Sequence, residues 1–170
     1  MRSTHKLILE LVRGLILLCA TGIVFAATQL SGERAPDFVL KSFVGANTRL
    51  SEYRGDVVVL TFWANWCSDC RAQLSDIREL NVLHGDAGLR PLSVSMERLS
   101  SSLREDIASL ELGFPMLDDP GLEVSRMYDV ESLPVALLID REGVVREVVQ
   151  GYERGNGEHY SEIVERLLAE

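Results

Sequence analysis

Val57-Val58-Val59-Leu60-Thr61-Phe62-Trp63-Ala64-Asn65-Trp66-Cys67-Ser68-Asp69-Cys70 is the stretch that decides the fold. Its first seven residues are an unbroken run dominated by β-branched and aromatic side chains, the pattern of a strand covered on both faces. From Ser68 the period changes: Leu74, Ile77, Leu80 and Leu83, with Arg71, Asp76, Arg78 and Glu79 between them, form a helical stripe that ends at His84-Gly85-Asp86-Ala87-Gly88. The two cysteines therefore fall where a buried strand becomes a helix. Cys67 is expected at the exposed first position, facing the unpaired N–H groups and the positive end of the helix dipole. Such a placement lowers a thiol pKa from about 8.5 into a range of roughly 3.5–7.5 and makes a nucleophile. Cys70, one turn later, is expected to point inward, shielded but close enough to resolve a mixed disulfide formed at Cys67.

Working outward, residues 35–40 read as extended, with 48–50 as a hairpin partner across a turn at 45–47. Residues 91–96 form a second strand, and Ser102-x-x-Glu105 opens a helix with Leu103, Ile107 and Leu110 inward. Phe114-Pro115 and Asp118-Asp119-Pro120 read as connections, the acidic pair as a solvated turn rather than a metal site. A short helix follows at 121–128, then a strand at 135–139, a tight turn at 140–143 and an antiparallel partner at 144–149. An amphipathic helix over 158–170, inward through Ile163, Leu167 and Leu168, closes the chain. This order predicts an α/β fold, a mixed central sheet flanked by helices with an added N-terminal β-hairpin, in one domain over 36–170.

The length of 170 residues suits one such domain with a short appendage. Arg2, Lys6 and Arg13 precede a mostly apolar, uncharged stretch at 15–27, so residues 1–27 read as a signal peptide or an uncut membrane anchor and 28–35 as a polar tether. Either version leaves the domain outside the cytoplasm. A net charge of -9, which becomes about -11 once residues 1–27 are set aside, argues against nucleic acid as a partner. Cys19 lies inside the apolar stretch and reads as filler. An oxidising compartment would then leave Cys67 and Cys70 as the only intramolecular pair.

By itself the CxxC spacing also fits half a zinc site or an inert bridge. Zinc would need further Cys or His ligands, and beyond the leader only His84 and His159 are available, both read as surface residues. No metal or cofactor is expected. A disulfide closing so short a loop stabilises little, which weighs against a purely structural role.

The motifs Ala35-Pro36-Asp37-Phe38, Leu50-Ser51-Glu52-Tyr53-Arg54-Gly55, residues 62–70, Leu133-Pro134 and Leu138-Ile139-Asp140-Arg141-Glu142-Gly143 occur in one order over nearly all of 35–170. In them the chain resembles the exported thioredoxin-like thiol–disulfide oxidoreductases of the TlpA and ResA type. The resemblance implies a cis Pro134 beside the cysteines, with the Leu133 backbone pairing with a bound substrate segment; Trp66, from its place just before Cys67, is read as lying on the exposed, substrate-contacting rim. The resemblance also implies client proteins with disulfides or Cys pairs and a membrane electron donor. Trp63 is read as core.

Three departures matter. Asp69 stands where the family usually has proline, adding negative charge beside Cys67. Thr61 and Gln73 occupy the positions where a buried acid near Cys70 would be expected, so Gln73 becomes a candidate for tuning that thiol. Val135 replaces a common threonine and reads as packing. The Glu that follows the cis-proline in dedicated cytochrome c maturation members is also absent, so no client is named.

Two other functions compete with reduction of client disulfides. A thioredoxin-like peroxidase would set its cysteine in Pro-x-x-x-Thr-x-x-Cys, whereas Leu60 and Ala64 precede Cys67, and Trp63 and Cys67 precede Cys70, at those positions. A non-catalytic partner-binding module would not need the cysteines.

Overall fold

The computed structural model describes residues 30–170 except Val44, Leu99 and Arg154. The leader read over 1–27, with His5 and Cys19, lies outside the described residues. Among the described residues no helix is long and apolar enough to cross a membrane.

Seven strands form one mixed sheet: β1 (Val39–Ser42), β2 (Asn47–Arg49), β3 (Val57–Trp63), β4 (Leu89–Ser95), β5 (Met116–Asp118), β6 (Val135–Ile139) and β7 (Val145–Gln150), in the order β2-β1-β5-β4-β3-β6-β7. The helices are α1 (Ser68–His84), α2 (Ser101–Ser109), α3 (Glu123–Met127) and α4 (Asn156–Leu168). β3 lies between β4, which it pairs in parallel from Val57↔Leu89 to Trp63↔Ser95, and β6, which it pairs antiparallel from Val58↔Ile139 to Phe62↔Val135. β1 and β2 pair antiparallel, as the hairpin reading expects.

Every residue of β3 is buried, because both faces of the sheet are covered. Val58, Leu60 and Phe62 meet Phe38 and the Val124 and Tyr128 side chains of the α3 region on one face. On the other, Val57 and Val59 meet Ile77 and Leu80 of α1 and Tyr160, Ile163, Val164 and Leu167 of α4. Each fully buried aliphatic side chain contributes about 1.5–3 kcal/mol of transfer free energy. At the end of β3, Trp63 joins Cys67, Cys70, Leu74, Leu103 and Ile107 in a third cluster, which seats the cysteines.

Four expectations need correction. Leu83 is exposed rather than inward. Nine residues separate it from Leu74, about two and a half turns at about 3.6 residues per turn, so it emerges on the opposite face. α2 is capped by Ser100, whose Oγ accepts from Leu103 N at 3.1 Å, not by Ser102; three consecutive serines offered the choice. Residues 116–118 are a strand, completed by pairing with both β4 and β1. Asp119 is no solvated turn residue: it is buried, and its carboxylate accepts from Glu123 N, Val124 N, Ser125 N and Ser125 Oγ at 2.8–3.3 Å. Burial and the neighbouring Asp119 push the Asp118 carboxyl above its ordinary value, partly offset by Lys41, Arg104 and Arg98.

Residues 30–35 run along the β6–β7 turn, with Gly32 N donating to Val145 O at 2.7 Å and Ala35 N to Gly143 O at 2.9 Å. Next to them Asp37 clasps the far end of the hairpin: its carboxylate accepts from Ser51 N at 2.9 Å and Ser51 Oγ at 3.0 Å and lies 3.3 Å from Arg49. Burial alone would raise its pKa, but those hydrogen bonds and the Arg49 charge outweigh burial and hold it below the usual value. A carboxyl depressed on folding adds stability that is present above its unfolded pKa of about 3.9 and is lost as pH falls through the folded value. Urea midpoints of wild type and Asp37→Asn should therefore differ at pH 6 and converge toward pH 3. A gap that widens in acid would contradict this assignment.

Candidate active site

β3 delivers the chain into the turn Ala64-Asn65-Trp66, and Cys67 is the last extended residue before α1, with φ -90° and ψ 103°. It caps the helix through its sulfur, since Cys70 N donates to Cys67 Sγ at 3.1 Å. The two sulfurs are bonded at 2.07 Å with Cα atoms 5.3 Å apart. Cys67 is less open than its terminal position implied, 7% exposed against 0% for Cys70, because Trp63, Leu74 and the flanking Leu133 pack around the pair. The asymmetry keeps the predicted sense, with Cys67 the sulfur nearer solvent.

The turn itself is pinned by Asn65. Its N–H donates to Glu97 Oε2 at 2.6 Å, its Nδ2 donates to Asp106 Oδ2 at 2.8 Å, and its Oδ1 accepts from the Arg71 guanidinium. One residue thus ties the turn to the segment after β4 through its backbone, and to α2 and α1 through its side chain. Trp66 projects from it, 73% exposed, whereas Trp63 is buried. A tryptophan left so open beside a redox pair is an apolar contact surface of the kind that anchors partners. The Leu133–Pro134 peptide is cis, Leu133 is half-buried against the cysteine cluster, and Pro134 is buried.

Around Cys70 the polar groups are neutral. Thr61 Oγ1 donates to Ser93 Oγ at 2.9 Å, and Gln73 Nε2 donates to the Tyr160 hydroxyl at 2.9 Å; all four residues are buried. The buried carboxylates among the described residues are committed elsewhere: Asp119 to α3, and Asp140 to Glu142 N, Val144 N and Arg146. Asp69, on the first turn of α1, is exposed. The histidines stand apart, His84 half-buried and 3.8 Å from Glu165, His159 exposed with Nε2 2.6 Å from Glu147.

Sequence reasoning placed both cysteines, both tryptophans and the cis-proline, but missed Tyr160 and the Asn65 clamp. Tyr160 precedes Ile163 and Leu167 at helical spacing, so its burial was readable; its partner, 87 positions away, was not.

Chemically, the arrangement supports a two-electron disulfide/dithiol couple at a helix N-terminus, with one sulfur poised to exchange and the other shielded. A protein-family model described as the AhpC/TSA family matches residues 31–148. Thiol-disulfide oxidoreductase ResA of Geobacillus thermodenitrificans (strain NG80-2) is 31% identical over 158 residues, covering 89% of this chain and 91% of that protein. Its namesake from Bacillus subtilis (strain 168) is 30% identical over 158 residues, with 89% and 88% covered. Among solved structures, a thiol:disulfide interchange protein DsbE from Chlorobium tepidum superposes with a TM-score of 0.77 at 28% identity, covering 81% of this chain and 97% of that one. The exposed lipoprotein thioredoxin Etrx1 from Streptococcus pneumoniae strain TIGR4 gives a TM-score of 0.67 at 30% identity, covering 78% and 100%.

Proposed function

Because the chain belongs to the thiol–disulfide oxidoreductases of the AhpC/TSA family, we propose that it acts outside the cytoplasm as a reductant of client-protein disulfides, with Cys67 as nucleophile and Cys70 as resolving thiol. In one turnover the Cys67 thiolate attacks a client disulfide, forming a mixed disulfide and expelling one client thiolate. Cys70 then attacks Cys67 Sγ, which releases the client dithiol and leaves the Cys67–Cys70 disulfide. Two electrons and two protons pass to the client, and a thiol-based donor at the membrane restores the pair. Residues 1–27 supply export or anchoring in this reading.

The observation that carries it is the helix-capping position of Cys67, where the Cys70 N–H and the α1 dipole favour a thiolate. Trp66 and the Leu133–Pro134 segment form the client-contacting rim. Peroxidase chemistry has no comparable support, since neither cysteine has the proline and threonine that chemistry uses. The test is covalent trapping: Cys70→Ala, expressed in cells with its leader, should accumulate mixed disulfides that dithiothreitol releases. The same adducts in Cys67→Ala would overturn the assignment of the nucleophile, and an absence of adducts would overturn the client reading.

Asp69 sets the direction. Its charge, two residues beyond Cys67 on the first turn of α1, opposes the thiolate and so destabilises the reduced pair relative to an uncharged residue. Asp69→Pro should lower the Cys67 pKa and raise the reduction potential, with an effect that shrinks in high salt because Asp69 is exposed. An unchanged pKa and potential would remove Asp69 from the account.

A further inference from the structure

Gln73 is fully buried, one turn beyond Cys70 on the inward face of α1, and its two amide atoms are not equivalent. Nε2 donates to the Tyr160 hydroxyl at 2.9 Å, whereas Oε1 is buried and has no hydrogen-bond partner among the described residues. An unsatisfied buried carbonyl is costly, and native proteins keep few of them. In the disulfide state Cys70 has no S–H to offer. Reduction adds two electrons to the Sγ–Sγ bond and a proton to each sulfur, which creates a donor on Cys70 within one helical turn of Oε1. We infer that the Gln73 carboxamide, oriented by Tyr160, accepts the Cys70 S–H in the dithiol state, so that one redox state satisfies an acceptor that the other leaves bare. The inference rests on the redox reading of the pair and adds to it a neutral acceptor in a site where, among the described residues, no buried acid is present.

The surroundings favour this assignment. Trp63 Nε1, an unpartnered buried polar atom within the cysteine cluster, is a donor only and cannot take an S–H. Thr61 faces the same layer and its hydroxyl donates to Ser93 at 2.9 Å, which leaves its oxygen able to accept, so Thr61 is the competing acceptor that the test separates. The cluster packs Leu103 and Ile107 of α2 against Cys70, and the charged groups of α1 nearby, Asp69 and Arg71, are exposed. Burial, with a smaller push from the Asp76 charge, outweighs the Gln73 and Asn156 hydrogen bonds and raises the Tyr160 phenol above its ordinary pKa; Asp76 itself is half-buried and accepts from the Tyr152 hydroxyl at 2.8 Å. Tyr160 is thus a positioning residue: by accepting the Nε2 hydrogen it fixes which end of the amide is left for the sulfur.

The test is redox equilibration of the full chain against dithiothreitol, together with the infrared S–H stretch of the reduced protein. Gln73→Leu should lower the equilibrium constant for reduction by roughly tenfold, which is about 30 mV for a two-electron couple. It should also move the Cys70 S–H band from a hydrogen-bonded to a free frequency. Tyr160→Phe should shift both readouts in the same sense but less, because the released amide can turn. Gln73→Met serves if the Leu variant fails to fold. An unshifted S–H band, an unchanged or increased equilibrium constant, or a band that responds to Thr61→Val instead would overturn the inference. A wild-type chain that does not exchange with dithiothreitol would overturn the redox reading itself, a distinct outcome.

Discussion

Cys67→Ser is expected to slow reduction of a model disulfide by on the order of 10³-fold or more, because a serine hydroxyl at neutral pH is no substitute for a thiolate and Cys70, the other described cysteine, is fully buried. Cys70→Ser should also abolish multiple turnovers, but by a different route: the first attack proceeds and the mixed disulfide persists. Stopped-flow thiol release separates the two, with a stoichiometric burst for Cys70→Ser and none for Cys67→Ser. Equal bursts from both variants would mean that the sulfurs are interchangeable, against the exposure difference and the capping bond at Cys67.

Asp119→Ala is expected to cost about 2–4 kcal/mol, the largest stability loss anticipated for a polar side chain here. The carboxylate accepts four hydrogen bonds at the start of α3, and its removal leaves the Ser125 hydroxyl and three backbone N–H groups without that acceptor in a buried place. α3 carries Val124 onto the core cluster behind β3, and Tyr128 just beyond it, so the loss spreads into packing. Tyr128 itself is wedged between Phe38 and Phe62, at 6.1 and 5.6 Å, and its hydroxyl donates to Pro36 O at 2.6 Å. Denaturant titration of the oxidised chain should show the midpoint fall with little change in the redox equilibrium of the folded fraction, because Asp119 belongs to α3 and not to the cysteine cluster. A loss under about 1 kcal/mol would mean that water replaces those bonds readily.

The β3-turn-α1 unit was legible because its signals are local: a continuous apolar run, then a change of period at Ser68, then cysteines at the join. The cis-proline followed from motif resemblance and the exposure of Trp66 from its place just before Cys67, and the structure shows a cis Leu133–Pro134 peptide and an open Trp66. β5 was not legible, since its three residues, in the four between Pro115 and Pro120, are too few to show alternation, and their strand character comes from β1 and β4 on either side. Asp119 misled for a related reason. A charged residue between an acid and a proline looks solvated until the helix whose amides it caps is folded over it. Gln73 was flagged for what it replaces, but its contact with Tyr160 depends on how α4 lies against α1, which no window of sequence contains.

The central claim, a dithiol pair that reduces clients, is tested most directly by the reduction potential of the wild-type Cys67–Cys70 couple, measured by equilibration against glutathione or dithiothreitol. The account predicts a reversible two-electron couple near or below that of thioredoxin, about -270 mV. A value near that of the strong oxidants, about -120 mV, would make the protein a disulfide donor and contradict both the proposed direction and the role given to Asp69.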